Sequence, residues 1–162
     1  MTSDSKWIWF DMDGTLSDLY AVPGWKEKVR AFDPAPYREA KPLLRFDAFA
    51  RQVNALKRRG YQVGVISWSS RVSTPGYHDA VAAAKHAWLR RHLPSVSWDN
   101  VLVVPFGTPK WQVCAPGMLF DDDEQNLIAW REHSMGEAYG AEDITRILIA
   151  MNRRGGTTHE EV

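Results

Sequence analysis

An α/β domain, with a mostly parallel sheet covered by helices on both faces, is the fold class this sequence predicts. Three observations carry it. Short apolar runs rich in β-branched and aromatic residues alternate with helical periodicities along most of the chain. At 162 residues the chain has the length of one domain and can bury a core without cross-links. Chemistry-capable residues follow four of the apolar runs: Asp11 and Asp13, Ser67, Lys110, and Asp121 with Asp122. The carboxyl ends of parallel strands share one edge of a sheet, and that edge is where open α/β sheets bind ligands.

Trp7 to Phe10 is the first predicted strand, running straight into Asp11. Spacing of two along an extended chain puts Asp11 and Asp13 on one side, and Gly14 then permits a sharp turn. Two carboxylates about 4 Å apart repel by about 4 kcal/mol at an effective dielectric near 20. Either one is protonated or a cation sits between them. Residues 17–45, punctuated by Pro23, Pro34, Pro36 and Pro42, follow at once and are expected to cover the carboxylates as a small lid. A short helix over 25–32 and a turn over 37–40 are expected within it.

Residues 46–59 predict a helix, because Phe46, Phe49, Ala50, Val53 and Leu56 recur on one face and Gly60 supplies the stop. A strand over 61–66 ends in Ser67, Ser69 and Ser70. Thr74 and Pro75 read as cap and first position of a helix with a stripe of Tyr77, Val81, Ala84 and Trp88, closed by Pro94. A strand over 101–104 leads to a short helix from Pro109, and a strand over 118–120 leads to a helix through Leu127, Ile128 and Trp130. A short strand over 136–139 and a helix marked by Ile144, Ile147, Leu148 and Met151 complete a single domain, 1–152. Residues 153–162 are polar with paired glycines and are expected to be a frayed tail.

Composition narrows the function. Twenty basic and twenty acidic residues cancel, so no overall charge favours nucleic acid or an anionic membrane. No apolar run approaches membrane-spanning length. The single cysteine, Cys114, excludes an internal disulfide and fits a reducing compartment; it is read as packing behind Lys110. With no signal pattern at the start, a cytoplasmic location is expected. The five histidines share no metal-ligand spacing, and no obligate protein partner is evident. Most of the eight tryptophans are expected in the core or in lid packing.

Taken together, the four strand-end groups resemble the motifs of the haloacid dehalogenase-like (HAD) superfamily of phosphohydrolases. Asp11-Met12-Asp13-Gly14-Thr15 matches its Asp-x-Asp-Gly-Thr motif, Val63 to Ser67 its strand ending in Ser or Thr, Lys110 its helix-opening lysine, and Asp121-Asp122 with Asn126 its acidic pair. The resemblance spans Trp7 to about Met151. It implies a three-layer Rossmann-like fold and an aspartyl-phosphate mechanism. Asp11 would be the nucleophile and Asp13 the general acid and base. Ser67 and the Trp68 N–H would hold the phosphate, and Lys110 would neutralise it. Mg²⁺ would be bound by Asp11, the Asp13 carbonyl and Asp122, supported by Gly14, Thr15, Asp121 and Asn126. Three aspartates in a row, Asp121 to Asp123, leave the register of the direct ligand open, with Asp122 favoured by alignment on Asn126. Asp123 and Glu124 read as acids of a helix N-terminus.

Relatives in that superfamily often carry a cap domain. Here residues 67–110 are filled by a helix and a strand, and 17–45 allow only a small lid. An open site suits a phosphate on a large or protruding substrate, such as a nucleic-acid end, and a nucleotide fits equally. A phosphorylated small molecule of another class is a further expectation. Trp25 and Trp68 are candidates to stack on a base, and Arg30, Arg38 and Arg45 to meet a substrate anion. A fold that keeps these residues but only binds phosphate is the alternative.

Overall fold

The computed structural model describes residues 6–155. Strand β1 (Trp7–Phe10) opens it. The lid segment then runs through β2 (Ser17–Asp18), α1 (Trp25–Arg30), α2 (Ala35–Glu39) and β3 (Lys41–Pro42). After it come α3 (Phe46–Arg58), β4 (Gln62–Trp68), α4 (Pro75–His92), β5 (Asn100–Val104), α5 (Lys110–Val113), β6 (Gly117–Asp121), α6 (Glu124–Ser134), β7 (Ala138–Gly140) and α7 (Ile144–Arg154). Every helix and strand expected from the sequence outside the lid is present within a few residues. The expected tail begins too early: Arg153 and Arg154 complete the last turn of α7, where cations suit the helix dipole. Residues 156–162 lie outside the described residues.

Five strands form one sheet in the order β5-β4-β1-β6-β7, and every neighbouring pair is parallel. The strands that carry the two best-defined motifs, β1 and β6, are therefore adjacent. Alternation along β1 builds both faces. Ile8 and Phe10 point into a core closed by Phe49, Val53 and Leu56 of α3, Trp88 of α4 and Ile147 and Leu148 of α7. Trp9 points the other way, onto Leu119, Leu127 and Trp130. Phe10 stacks on Phe120 at 5.3 Å and meets Phe49 edge-on at 5.1 Å, geometries that aromatic pairs prefer. Gly64 of β4 is paired with Trp9, and a Cβ there would stand 2.3 Å from the indole, so the ring lies across the strand only because the residue is glycine. Trp9, Trp88 and Trp130 are fully buried, and Cys114 packs against the second core with its thiol pushed up to about 12 by burial.

The lid has a core of its own. Leu19, Val29 and Tyr37 pack on Tyr77, Val81 and Ala84 of α4. The helix stripe legible in the sequence thus divides: its first turns hold the lid, and Trp88 and Leu89 join the sheet core. Trp88 Nε1 donates to Ala40 O at 2.7 Å and the Tyr77 hydroxyl to Asp33 O at 3.1 Å, so both ends of α2 are tied to α4. Among the described residues, no helix is long and apolar enough to cross a membrane.

Candidate active site

At the carboxyl ends of β1, β4 and β6, and at the start of α5, the structure brings together all four strand-end groups. A cavity of about 780 Å³ opens over them. Asp11, Asp13, Trp68, Lys110, Asp121, Asp122 and Asn126 line it, with lid residues such as Tyr20 and Trp25 on the far wall.

Asp11 follows β1 directly, and its N–H continues the ladder to Phe120 O at 2.9 Å. The chain then turns back: the N–H groups of Leu16 and Ser17 both donate to Met12 O, and Gly14 N–H donates to Ser17 O. Gly14 takes φ +81°, and a Cβ there would lie 2.2 Å from Asp122 Oδ2. Glycine is thus required twice, for the backbone conformation and for the space Asp122 occupies. The Thr15 hydroxyl lies 3.0 Å from Asp11 Oδ2 and 3.3 Å from Asp122 Oδ1, between the two carboxylates.

Lys110 is buried, and its ammonium donates to Asp11 Oδ1 at 2.8 Å and Asp121 Oδ2 at 2.6 Å. Burial alone would disfavour its charge, but Asp11 and Asp121 outweigh burial and hold the ammonium above its ordinary range. Asp121 is fully engaged: Asn126 Nδ2 also donates to Oδ2 at 3.2 Å, and Asp123 N–H donates to Oδ1 at 2.9 Å. Asp122, by contrast, is open to the cavity. Oxygens of Asp11, Asp121 and Asp122 lie within 4.8 Å of one another, a spacing that one metal ion can span. Burial and then the Asp11 charge push the Asp122 carboxyl up, and Asp121 is raised for the same two reasons in the same order. Asp123 caps α6, accepting the Gln125 N–H at 2.9 Å, the place expected for a helix acid.

One member of the site has no counterpart among the sequence candidates. Lys85 of α4 is fully buried, and its ammonium donates to Asp13 Oδ2 at 2.7 Å, Ser67 Oγ at 2.6 Å and Trp68 O at 2.8 Å. All three N–H bonds are used. Its ammonium also lies 5.0 Å from the centre of the Tyr37 ring of the lid. The sequence did hold a signal: Lys85 stands four residues after Val81, inside the apolar stripe of α4, where a lysine is expensive without partners. Asp13 is raised by burial, against the pull of Lys85. Ser67 lies in β4, which continues through Trp68, and its hydroxyl is held behind the cavity wall rather than in it; Trp68, Ser69 and Ser70 form that wall.

Two aromatic pairs face the cavity. Trp68 and Phe106 lie 4.9 Å apart on one side, with Trp68 Nε1 fixed on Thr108 O at 2.7 Å. Tyr20 and Trp25 lie 5.3 Å apart on the other. Burial, then the nearby Asp13, raises both the Tyr20 and Tyr37 phenols, so they keep their protons. Of the expected anion-binding arginines, Arg30 lines the cavity, whereas Arg45 pairs with Asp47 at 3.4 Å outside it.

No family model matches the sequence, and no curated protein matches it. Solved structures do. The D,D-heptose 1,7-bisphosphate phosphatase of Burkholderia thailandensis superposes with a TM-score of 0.54 at 13% identity, over 90% of this chain and 97% of that one. The enzyme of that name from B. bronchiseptica, solved with magnesium and phosphate, gives 0.52 at 14% identity, over 92% and 99%. At these identities the likeness speaks for architecture: this chain has the three-layer, Rossmann-like, HAD-like fold of those phosphatases.

Proposed function

We propose that the protein is a Mg²⁺-dependent phosphatase that hydrolyses a phosphate monoester through an aspartyl-phosphate on Asp11, with a nucleotide as substrate. The observation that carries this reading is the buried Lys110 bridging Asp11 and Asp121 beside the open Asp122. Four carboxylates, Asp11, Asp13, Asp121 and Asp122, meet two ammonium groups, Lys85 and Lys110, so the site carries an excess of two negative charges that a dication matches. Hard oxygen donors of this kind suit Mg²⁺. Asp11 and Asp122, with the Asp13 carbonyl, would hold it, and Asp121 would support them. When bound, the ion would draw the phosphate in and offset its charge.

The chain's own groups divide the remaining work. Asp11 attacks phosphorus, with one carboxylate oxygen steadied by Lys110 and the other beside the Thr15 hydroxyl. Asp13 gives a proton to the leaving oxygen and then takes one from the water that releases phosphate. Its raised carboxyl suits the first step. Lys85 holds Asp13 Oδ2 at 2.7 Å, and the Ser17 hydroxyl lies 3.5 Å from Oδ1, the oxygen that would carry the proton. Ser67 accepts from the Lys85 ammonium and lies 3.4 Å from Trp68 O, so it holds Lys85 in place behind the wall that Trp68 forms. Lys110 offsets charge as it builds on the transferring group.

The aromatic pairs support a nucleotide over a sugar phosphate, because rings on both walls can sandwich a base. A cavity of about 780 Å³ bounded by the lid favours a free nucleotide over a long nucleic-acid end. The test is hydrolysis of p-nitrophenyl phosphate with and without Mg²⁺, beside Asp11→Asn, followed by a comparison of mononucleotides, sugar phosphates and 3′- or 5′-phosphorylated oligonucleotides. Turnover that survives Asp11→Asn refutes the nucleophile. No turnover of any phosphate, with Mg²⁺-dependent binding intact, favours a phosphate-binding protein.

A further inference from the structure

The loop that follows β4 holds two hydroxyls that the reaction just described does not use. Ser69 and Ser70 are 5% and 4% exposed, and neither Oγ has a hydrogen-bond partner. The Ser70 hydroxyl faces that of Tyr37 without closing a well-formed bond. Buried hydroxyls are nearly always paired, so two neighbouring orphans mark a place that another molecule completes. Both residues line the reactive cavity and also a second cavity of about 410 Å³ that adjoins it.

The second cavity differs from the first in charge. No carboxylate lines it. Arg71 stands at the junction, its guanidinium carbon 4.6 Å from the centre of the Phe106 ring, and it forms no ion pair among the described residues. A guanidinium laid on an aromatic face is oriented in advance for two-point contact with a phosphate. The other wall is the first turn of α4, an 18-residue helix capped by Thr74, with no acidic residue in that turn. The Tyr77 and His78 N–H groups are taken by Thr74, so what this end offers an anion is the positive end of the helix dipole.

We infer that Ser69, Ser70, Arg71 and the start of α4 form a second anion subsite, which takes a non-reacting phosphate of a nucleotide whose other phosphate lies over Asp11. The substrate class is thereby a nucleotide with phosphate groups at both ends of its ribose. Ser69, Ser70 and Arg71 line both cavities, so the two phosphate places share one wall. This assignment rests on the phosphatase reading for its reacting end, and on none of the carboxylates for its own.

Calorimetric titration of the Asp11→Asn protein with Mg²⁺ tests it without turnover. The probes are adenosine 5′-monophosphate, adenosine 3′,5′-bisphosphate and a 5′-phosphorylated dinucleotide. The second phosphate is expected to tighten binding by about tenfold or more, and Arg71→Ala and Ser69→Ala in the same background are expected to remove most of that gain. A gain with the dinucleotide equal to that with the bisphosphate assigns the subsite to a chain phosphodiester; a gain with the bisphosphate alone assigns it to a free nucleotide. In the active protein, Arg71→Ala should leave kcat/KM for p-nitrophenyl phosphate, which has no second phosphate, within about twofold. Equal affinity for the mono- and bisphosphate, or a gain that survives Arg71→Ala, overturns the subsite. Collapse of p-nitrophenyl phosphate turnover in a folded Ser69→Ala protein also overturns it, because that hydroxyl would then serve the reacting phosphate. If the wild-type protein hydrolyses nothing yet shows the bisphosphate gain, the phosphatase reading fails and the subsite stands.

Discussion

The site has two halves, each built around a buried lysine, and they are not balanced alike. In one half Lys85 meets a single carboxylate, Asp13, and shares its remaining hydrogens with Ser67 and Trp68. In the other half Lys110 meets Asp11 and Asp121 while Asp122 stands close by. The Lys85 half is neutral. The Lys110 half holds three carboxylates against one ammonium, an excess of two negative charges. On the proposed phosphatase reading, the balanced half would fix Asp13 in one place, and the charged half would attract a dication and the phosphate with it.

Removing either lysine breaks the comparison most directly. Taking one partner from a buried ion pair typically costs about 3–5 kcal/mol, because the other charge is left unpaired. Lys110→Met and Lys85→Met should each lower stability by about that amount in chemical denaturation. Their rescues differ. Asp13→Asn should restore most of what Lys85→Met loses, since a single carboxylate is orphaned. No single acid-to-amide change should restore Lys110→Met, which orphans two. Lys110→Met should also cut turnover by about 10²–10³-fold, the range seen when one preset donor to the developing charge is removed. Equal rescue of both variants would show that the halves are not electrically distinct.

The two halves also differ in how far the sequence revealed them. Lys110 was legible because it opens a helix after a strand and loop, where a cation opposes the helix dipole. Lys85 was hidden because its meaning depends on a contact between α4 and the ends of β1 and β4, across residues far apart in the chain. Its only trace was a charged residue within the apolar stripe of Tyr77, Val81 and Trp88. The strands were legible from their β-branched runs, and each strand end pointed to the site. The lid's attachment was not, because a stripe on α4 does not say which layer it faces. Likewise, Ser67, Ser69 and Ser70 look alike in sequence. Only the fold separates the hydroxyl held by Lys85 from the two that have no partner.

Gly14 lies at the seam between the halves, and Gly14→Ala sharpens the comparison with a smaller effect. Its φ of +81° disfavours any side chain, at a cost on the order of 1–3 kcal/mol. The added methyl would also fall 2.2 Å from Asp122 Oδ2 and displace that carboxylate. The charged half should suffer and the neutral half should not. Mg²⁺ affinity, read by titration, should drop by about tenfold or more, in line with the loss of a properly placed ligand. The Lys85 cluster, read by whether Asp13→Asn still rescues Lys85→Met in this background, should be unchanged. Mg²⁺ affinity equal to that of the unsubstituted protein would remove Asp122 from the ligand set.

The most gradual effect is in the pH dependence of stability, and its sign follows from the same imbalance. Burial and then Asp11 push Asp122 up to about 8, and Asp121 to about 6, in the metal-free protein. An unfolded chain would titrate both near 3.8. Between those limits the folded state binds more protons than the unfolded one, so stability falls as pH rises. The contribution is fully present below the unfolded value and is lost as pH climbs through about 6 and then about 8. A dication replaces the protons as the neutralising charge, so Mg²⁺ should stabilise the fold more as pH rises. Without divalent ions the melting temperature should decline from pH 6 to pH 9, at about 2–4 °C per kcal/mol for a chain of this length. With excess Mg²⁺ that decline should flatten, and Asp122→Asn should flatten it without any metal. The neutral half gives no such contrast between metal-free and metal-loaded protein. A pH profile that Mg²⁺ leaves unchanged would mean that the excess charge lies elsewhere than in the carboxylates around Lys110.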